Sequence, residues 1–217
     1  MTQDNFILDG IEPEVGERID AGRRALFARY AMPAAAIASA PLVLAAASSQ
    51  AFGAGLPQQV VDVLNFALTL EYLEAAFYKQ GNASGIIPSK YRALFRTIGA
   101  HETAHVKLLK GALGSAAVKA PAVDFTAGGK YADVFENFET FATLSATFED
   151  LGVAAYKGQA GNLLGTPVLT TALQIHSVEA RHAAAVRPII GKKGYDGAFD
   201  KPLSKKAVLA AATPFLA

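Results

Sequence analysis

The sequence contains no cysteine, and this absence excludes several kinds of site at once. Without a thiol, the chain cannot form a disulfide, bind a metal through thiolate, use a cysteine nucleophile or carry a lipid on a lipobox cysteine. Charge is also in short supply, because only 18% of the residues are charged and the formal net charge is +1. The chain lacks the basic surplus that nucleic-acid binding requires, so we expect no nucleic-acid partner.

Histidine is scarce as well, with four residues in a chain of 217. All four lie within two short segments, 101–105 and 176–182. Hydrophobic residues make up 52% of the chain, which is enough for a large core and argues against disorder. The length suits one ordinary domain together with a leader segment.

The first 51 residues differ in composition from the rest of the chain. Arg23 and Arg24 precede an uncharged, alanine-rich run that ends in small residues, Ser49-Gln50-Ala51. This order resembles a twin-arginine export signal, although a membrane anchor or a buried helix is an alternative. We therefore predict a signal peptide over 1–51 and one domain over 52–217. The twin-arginine export machinery would then be a partner, and the mature protein would be periplasmic or secreted.

Four long segments have the apolar spacing and the end signals of α-helices. We predict helices over about 57–79, 89–113, 131–157 and 166–187, and a short tail helix over about 204–212. No segment shows the alternation typical of a strand. The link over 114–130 is the longest, and an extended chain of that length could reach roughly 55 Å, whereas a helix of about 24 residues is roughly 36 Å long. An all-α four-helix bundle with one long crossover between helices 2 and 3 follows.

Each predicted helix has one glutamate on the face that should be core: Glu71, Glu102, Glu149 and Glu179. In helices 2 and 4 a histidine follows three residues later, at His105 and His182, and residues three apart on a helix are neighbours. Four ionised carboxylates in one core would lose hydration and repel one another. Two divalent cations would balance their charge, and the imidazoles would complete the ligand shells. One Glu from each of two helices plus Glu-x-x-His from each of the others is the pattern of di-iron and di-manganese carboxylate bundles.

Longer stretches around these positions are LNFALTLEYLEAAFY (64–78), HETAHVKLLKGALG (101–114), FEDLGVAAYKGQA (148–160), VEARHAAAVR (178–187) and the tail FDKPLSKKAVLAAATPF (199–215). They resemble the ferritin-like superfamily, and most of all its desiccation-related branch of exported proteins. The resemblance implies a ferritin-like bundle with two divalent ions, Fe or Mn. It also implies metal ligands at Glu71, Glu102, His105, Glu149, Glu179 and His182, with no further catalytic side chain.

Several polar residues beside these positions have more than one interpretation. Glu74 is a rival to Glu71, but the motif register favours Glu71 and leaves Glu74 as a neighbour of the site or as an exposed residue. The remaining candidates for an outer shell are Tyr78, His101, Asp150, Tyr156 and His176. The two histidines could be extra ligands, hydrogen-bond donors at the edge or exposed; the aspartate could orient an imidazole or be exposed. The tyrosines could take part in redox chemistry, or they could simply pack with a satisfied hydroxyl group.

Three functional hypotheses remain open at this stage. The first is an oxidoreductase of ferroxidase, peroxidase or catalase type, with O2, peroxide or Fe(II) as small substrates. The second is a non-catalytic protein of stress or desiccation protection whose metals are structural. The third is iron storage in a cage, which the long link and the tail disfavour. A homodimer is expected only from the general frequency of dimers.

Overall fold

A computed structural model describes residues 55–195 and 197–217, and over these ranges the fold is all-α. Its helices are α1 (Gln58–Ala83), α2 (Ser89–Leu113), α3 (Phe138–Gln159), α4 (Val168–Val186) and α5 (Lys205–Ala212). The predicted signal peptide, with Arg23 and Arg24, lies outside the described residues. No described helix is both long and apolar enough to cross a membrane.

The start of α3 corrects the sequence prediction. We expected this helix from Tyr131, but it begins at Phe138, and residues 125–136 form successive turns instead. The Asn137 side chain accepts a hydrogen bond from the backbone N–H of Glu139, which is the action of a helix cap. The turns still bury apolar groups, because Val134 is only 1% exposed. The link between α2 and α3 is therefore longer than predicted and ends at Asn137.

Side-chain pairs define the relative direction of the long helices. Between α1 and α3, Glu71 pairs with Tyr156 and Tyr78 pairs with Glu149, so one residue number rises by seven as the other falls by seven. That relation requires antiparallel helices. Between α2 and α4, His105 lies beside Glu179 and His182 lies beside Glu102, which gives the same result. The bundle runs up, down, down, up, as the long crossover predicts.

The apolar core has two parts with different side chains. One part is aromatic and is built around Phe77, Phe95, Phe141 and Phe148, all of which are at most 1% exposed. The other part is mainly aliphatic and lies at the opposite end of the bundle, where α1 and α4 begin and α2 and α3 end. The glutamates and histidines of interest lie between the two parts, so apolar packing surrounds a polar centre.

Hydrogen bonds and close contacts to the backbone hold the crossover and the tail to the bundle. The Asn65 side chain donates to Ala116 O and accepts from Val118 N, both at 2.9 Å, which ties the start of the crossover to α1. Farther along, Val123 forms an isolated antiparallel bridge with Leu216. The tail also approaches α3 closely, because a Cβ at Gly158 would lie 1.9 Å from the carbonyl oxygen of Leu203.

Candidate metal centre

The six residues predicted as metal ligands converge in the middle of the bundle. The four glutamates, one from each long helix, are at most 1% exposed, and His105 and His182 are 7% and 6% exposed. The structure therefore shows their convergence and burial. Metal binding by these six residues remains a prediction.

The first group of donor atoms comes from Glu71, Glu102, His105 and Glu179. His105 Nδ1 lies 3.1 Å from an oxygen of each of the three glutamates. Atoms held about 2.1 Å from one cation lie about 3 Å from each other. The three distances from His105 Nδ1 therefore match those between ligands of a shared ion.

The second group comes from Glu102, Glu149, Glu179 and His182. His182 Nδ1 lies 3.0 Å from Glu102 Oε1 and 3.1 Å from Glu149 Oε2. Glu102 and Glu179 belong to both groups, and Glu102 presents one oxygen to each histidine. Two neighbouring sites that share two carboxylates are the result.

The two donor groups have more buried carboxylate oxygens than their imidazole nitrogens can satisfy by hydrogen bonds. One imidazole nitrogen has a single hydrogen or a single lone pair, so His105 Nδ1 cannot satisfy three carboxylate oxygens together. Among the described residues, Glu102 Oε1 and both oxygens of Glu179 are buried without a hydrogen bond. Orphaned buried carboxylate oxygens are costly, and a divalent cation would satisfy them. The donor set therefore fits a pair of divalent ions.

Burial and mutual repulsion also change the proton affinities of the metal-free site. Burial raises the pKa of Glu71 to about 7, although His105 opposes the shift. The pKa of Glu149 is likewise raised well above its ordinary value, first by burial. Burial would lower the pKa of His105, but Glu71, Glu102 and Glu179 outweigh that effect and raise it. Without metal, the site therefore holds protons in place of cations.

A family model described as a ferritin-like domain matches residues 59–192, which is more than half of the chain. The chain belongs to this ferritin-like family. The matched range includes all four long helices and both donor groups. No curated protein matched the chain.

Two tyrosines of this ferritin-like domain bind the outer carboxylates in a reciprocal arrangement. Tyr156 on α3 donates its hydroxyl hydrogen to Glu71 Oε1 on α1 at 2.5 Å, and Tyr78 on α1 donates to Glu149 Oε1 on α3. Burial and the neighbouring carboxylates raise the pKa of both tyrosines well above 10, so both remain donors. Each outer glutamate therefore has one oxygen engaged by tyrosine and the other, Oε2, directed toward a histidine. Both tyrosine hydroxyls are therefore satisfied within the domain.

Glu74 is a fifth carboxylate in the centre of the ferritin-like bundle, and it is 3% exposed. It belongs to neither donor group. Burial raises its pKa well above the ordinary value, and repulsion from Glu179 adds to the shift. Gly152 on α3 makes room for both carboxylates, since a Cβ there would lie 3.0 Å from Glu179 Oε2 and 3.4 Å from Glu74 Oε1. Glu74 is thus a buried neighbour of the donor groups whose carboxyl group holds its proton more tightly than an ordinary glutamate.

His101 is the edge residue that the sequence left undecided. Its Nδ1 lies 2.9 Å from His182 Nε2, and the two rings stack with centroids 5.1 Å apart. His101 is exposed, and burial together with His182 lowers its pKa. It therefore contacts His182 on the side facing away from the carboxylates, which is the contact expected of a residue that orients a ligand.

Asp150 and His176 lie outside the two donor groups. We considered Asp150 as a partner of an imidazole, but its Oδ1 accepts from the Arg187 guanidinium at 2.6 and 2.8 Å. His176 belongs to neither donor group, and burial with the nearby Lys157 lowers its pKa. Asp150 comes directly after Glu149 in sequence, so it points to a different side of α3.

Proposed function

We propose that this ferritin-like protein is an exported di-metal carboxylate protein, with Fe or Mn, that oxidises Fe(II) or reduces O2 or peroxide in stress protection. One observation supports the proposal above the others. Two four-donor groups overlap through Glu102 and Glu179, and three buried oxygens of these two glutamates receive no hydrogen bond from the described residues. Two adjacent ions could each supply one electron to a two-electron reaction. Carboxylate and imidazole ligands suit both Fe and Mn.

Bound iron or manganese would supply electron transfer to O2 or peroxide, and the protein residues would supply the environment. Glu71, Glu149, Glu102 and Glu179 would neutralise two divalent charges with four negative charges. Tyr78 and Tyr156 keep one oxygen of each outer glutamate engaged and so fix how the other oxygen points. The aromatic and aliphatic parts of the core exclude bulk water from both ends. Excluding water strengthens electrostatic interactions inside the site.

A non-catalytic protein of stress or desiccation protection with structural metals is the second candidate. Its support is the depth of the site, because no predicted ligand is more than 7% exposed. Ions held that deeply would join four helices and stabilise the folded state by mass action. The two candidates predict the same metal content but different reactivity.

Export is a separate part of the proposal and is supported by the sequence of residues 1–51 alone. A twin-arginine passenger would fold and load metal in the cytoplasm before transport. That order would suit Fe or Mn, which Cu and Zn outcompete for the same ligands in solution. Mass spectrometry of the protein from its own host should show a chain starting near Phe52, and recovery of only full-length cytoplasmic chains would contradict it.

The experiment for the metal site starts with the purified chain and its metal content. We expect about two Fe or Mn ions per chain and consumption of Fe(II) with O2 or H2O2. Metal at that stoichiometry with no reaction toward either oxidant would favour the structural candidate. Absence of bound Fe and Mn after loading would contradict both.

Glu102→Gln is the sharper variant, and Glu74→Gln is its matched control. Both remove an ionisable carboxyl group from the buried cluster and keep the side-chain shape, so both should raise the free energy of unfolding of the metal-free protein. Only Glu102→Gln should lower the metal affinity, since Glu74 lies outside both donor groups. If metal-free Glu102→Gln melts below the metal-free parent, Glu102 is not in a crowded acidic cluster.

A further inference from the structure

A largely buried cavity lies in the aliphatic part of the core, beside the candidate metal centre. Its walls come from all four long helices and include Leu64, Ala67, Leu109, Ala155, Val168 and Ala172. Each of these six residues is at most 7% exposed. The cavity therefore lies inside the bundle and is not a surface groove.

The cavity is next to the donor groups along every helix that forms it. Ala67 is one turn before Glu71 on α1, and Leu109 is one turn after His105 on α2. Tyr156 also lines it, and the Tyr156 hydroxyl donates to Glu71 Oε1 at 2.5 Å. A molecule in the cavity would be separated from the carboxylates by about one layer of side chains.

Size and polarity restrict what the cavity can hold. The volume open to the centres of water-sized molecules is about 20 Å³. A single water needs about 10–15 Å³ of such volume. An alkyl chain is too large for this space. Water is disfavoured, because most of the wall is apolar and the Tyr156 hydroxyl already binds Glu71. Apolar cavities of proteins stay dry and bind small apolar molecules such as xenon.

Among the described residues, aromatic side chains occupy the opposite end of the bundle beside the site. Phe77, Phe95, Phe141 and Phe148 fill it, and Phe77 and Phe141 stack at 4.8 Å between centroids. A small apolar molecule that approaches the centre along the bundle axis therefore finds room on the aliphatic side.

We infer that this cavity is a binding site for dioxygen on its way to the metal centre. The inference rests on the proposed function, because it assigns O2 as the oxidant of that same site. Dioxygen is apolar and only slightly larger than water, so it matches both the volume and the lining. Hydrogen peroxide is a strong hydrogen-bonding molecule and would have to lose its hydration to enter.

The first measurement is the position of xenon in the full chain under xenon pressure, by crystallography or xenon NMR. We expect xenon in the cavity of the parent protein. Ala172→Val should fill the space and exclude xenon. Ala146→Val is the control, because Ala146 is 1% exposed in the aromatic part, and it should leave xenon bound. If Ala172→Val does not fold, Ala67→Val tests the same wall from α1.

The second measurement compares the rate of Fe(II) oxidation by O2 with the rate by H2O2. Ala172→Val should slow the reaction with O2 at least about threefold and leave the reaction with H2O2 unchanged. The control Ala146→Val should change neither the rate with O2 nor the rate with H2O2.

The outcomes separate this inference from the proposed function. No xenon in the parent, or equal O2 rates in Ala172→Val and the parent, would overturn the dioxygen site and leave the metal function intact. A parent that binds xenon but neither binds Fe or Mn nor oxidises Fe(II) would overturn the proposed function, and the dioxygen assignment with it.

Discussion

At the scale of single residues, the candidate centre depends on which atoms satisfy which carboxylate oxygens. Glu71 and Glu149 each receive a tyrosine hydroxyl on Oε1, whereas Glu102 Oε1 and both oxygens of Glu179 receive no hydrogen bond from described residues. Two glutamates, Glu71 and Glu149, therefore have one oxygen hydrogen-bonded to a tyrosine. The other two, Glu102 and Glu179, are shared between the donor groups. Single substitutions can test that division.

Tyr156→Phe removes the donor to Glu71 and keeps the ring. A buried carboxylate oxygen left without a partner costs about 1–3 kcal/mol, so the free energy of unfolding should fall by that amount and metal binding should weaken. Denaturant unfolding and a metal titration measure the two effects. Tyr72→Phe is the control on the same chain, because the Tyr72 hydroxyl makes only an exposed 3.4 Å contact with Val118 O. Equal effects of the two substitutions would show that the bond to Glu71 has no special weight.

At the scale of helices, the sequence predicted which helices exist and in what order better than it predicted where each helix begins and ends. Helix α2 begins and ends as expected, because Pro88 precedes it and Gly114, at φ 56°, follows it. Helix α1 continues four residues past the predicted Lys79 to Ala83. Gly81 stays helical and lets Phe141 approach, since a Cβ there would lie 2.1 Å from the Phe141 ring.

The glutamates and histidines were predictable because their spacing lies within single helices. The contacts of Tyr78, Tyr156 and His101 were not, since each joins two helices and depends on their relative rotation and register. The same limit applies to α3, where apolar residues at helical spacing suggested an early start. There the Asn137 cap and the packing of the preceding turns outweighed local periodicity.

Gly152→Ala is the prediction that belongs to the helix scale. Alanine favours a helix over glycine by roughly 0.5–1 kcal/mol, but its Cβ would press on Glu179 Oε2 at 3.0 Å. We expect the displacement of Glu179 to weaken metal binding, as a titration with Mn²⁺ or Fe²⁺ would show. Gly111→Ala in α2 is the control, because nothing lies within 4 Å of a Cβ there. It should stabilise the protein and leave metal binding unchanged; weaker metal binding in both variants would contradict the steric argument.

At the scale of the whole molecule, the bundle buries more acidic side chains than it can satisfy from its own residues. Two apolar clusters enclose a centre of five glutamates and two histidines. The folded metal-free protein must therefore take up protons that the unfolded chain does not hold. Metal and protons compete for the same atoms, so stability, pH and metal content are linked.

The linkage predicts opposite pH dependence for the metal-free and the metal-loaded protein. Without metal, the pKa of Glu71 is raised from 4.5 to about 7, and the pKa of His182 is raised from 6.5 to about 10 by Glu102 and Glu149 against the effect of burial. Between about pH 4.5 and pH 10 the folded state then holds more protons than the unfolded state. Each excess proton lowers the free energy of unfolding by about 1.4 kcal/mol for every unit by which the pH rises.

Thermal unfolding in the presence of a chelator should therefore give a lower melting temperature at pH 7.5 than at pH 5.5. With Mn²⁺ present the order should reverse, because metal binds deprotonated ligands and its affinity rises with pH. The Glu102→Gln variant should show a weaker reversal, since it lacks one shared carboxylate. A metal-free protein that is more stable at pH 7.5 than at pH 5.5 would mean that the buried glutamates are not protonated in the folded state. The acidic centre would then need another source of positive charge than protons or metal.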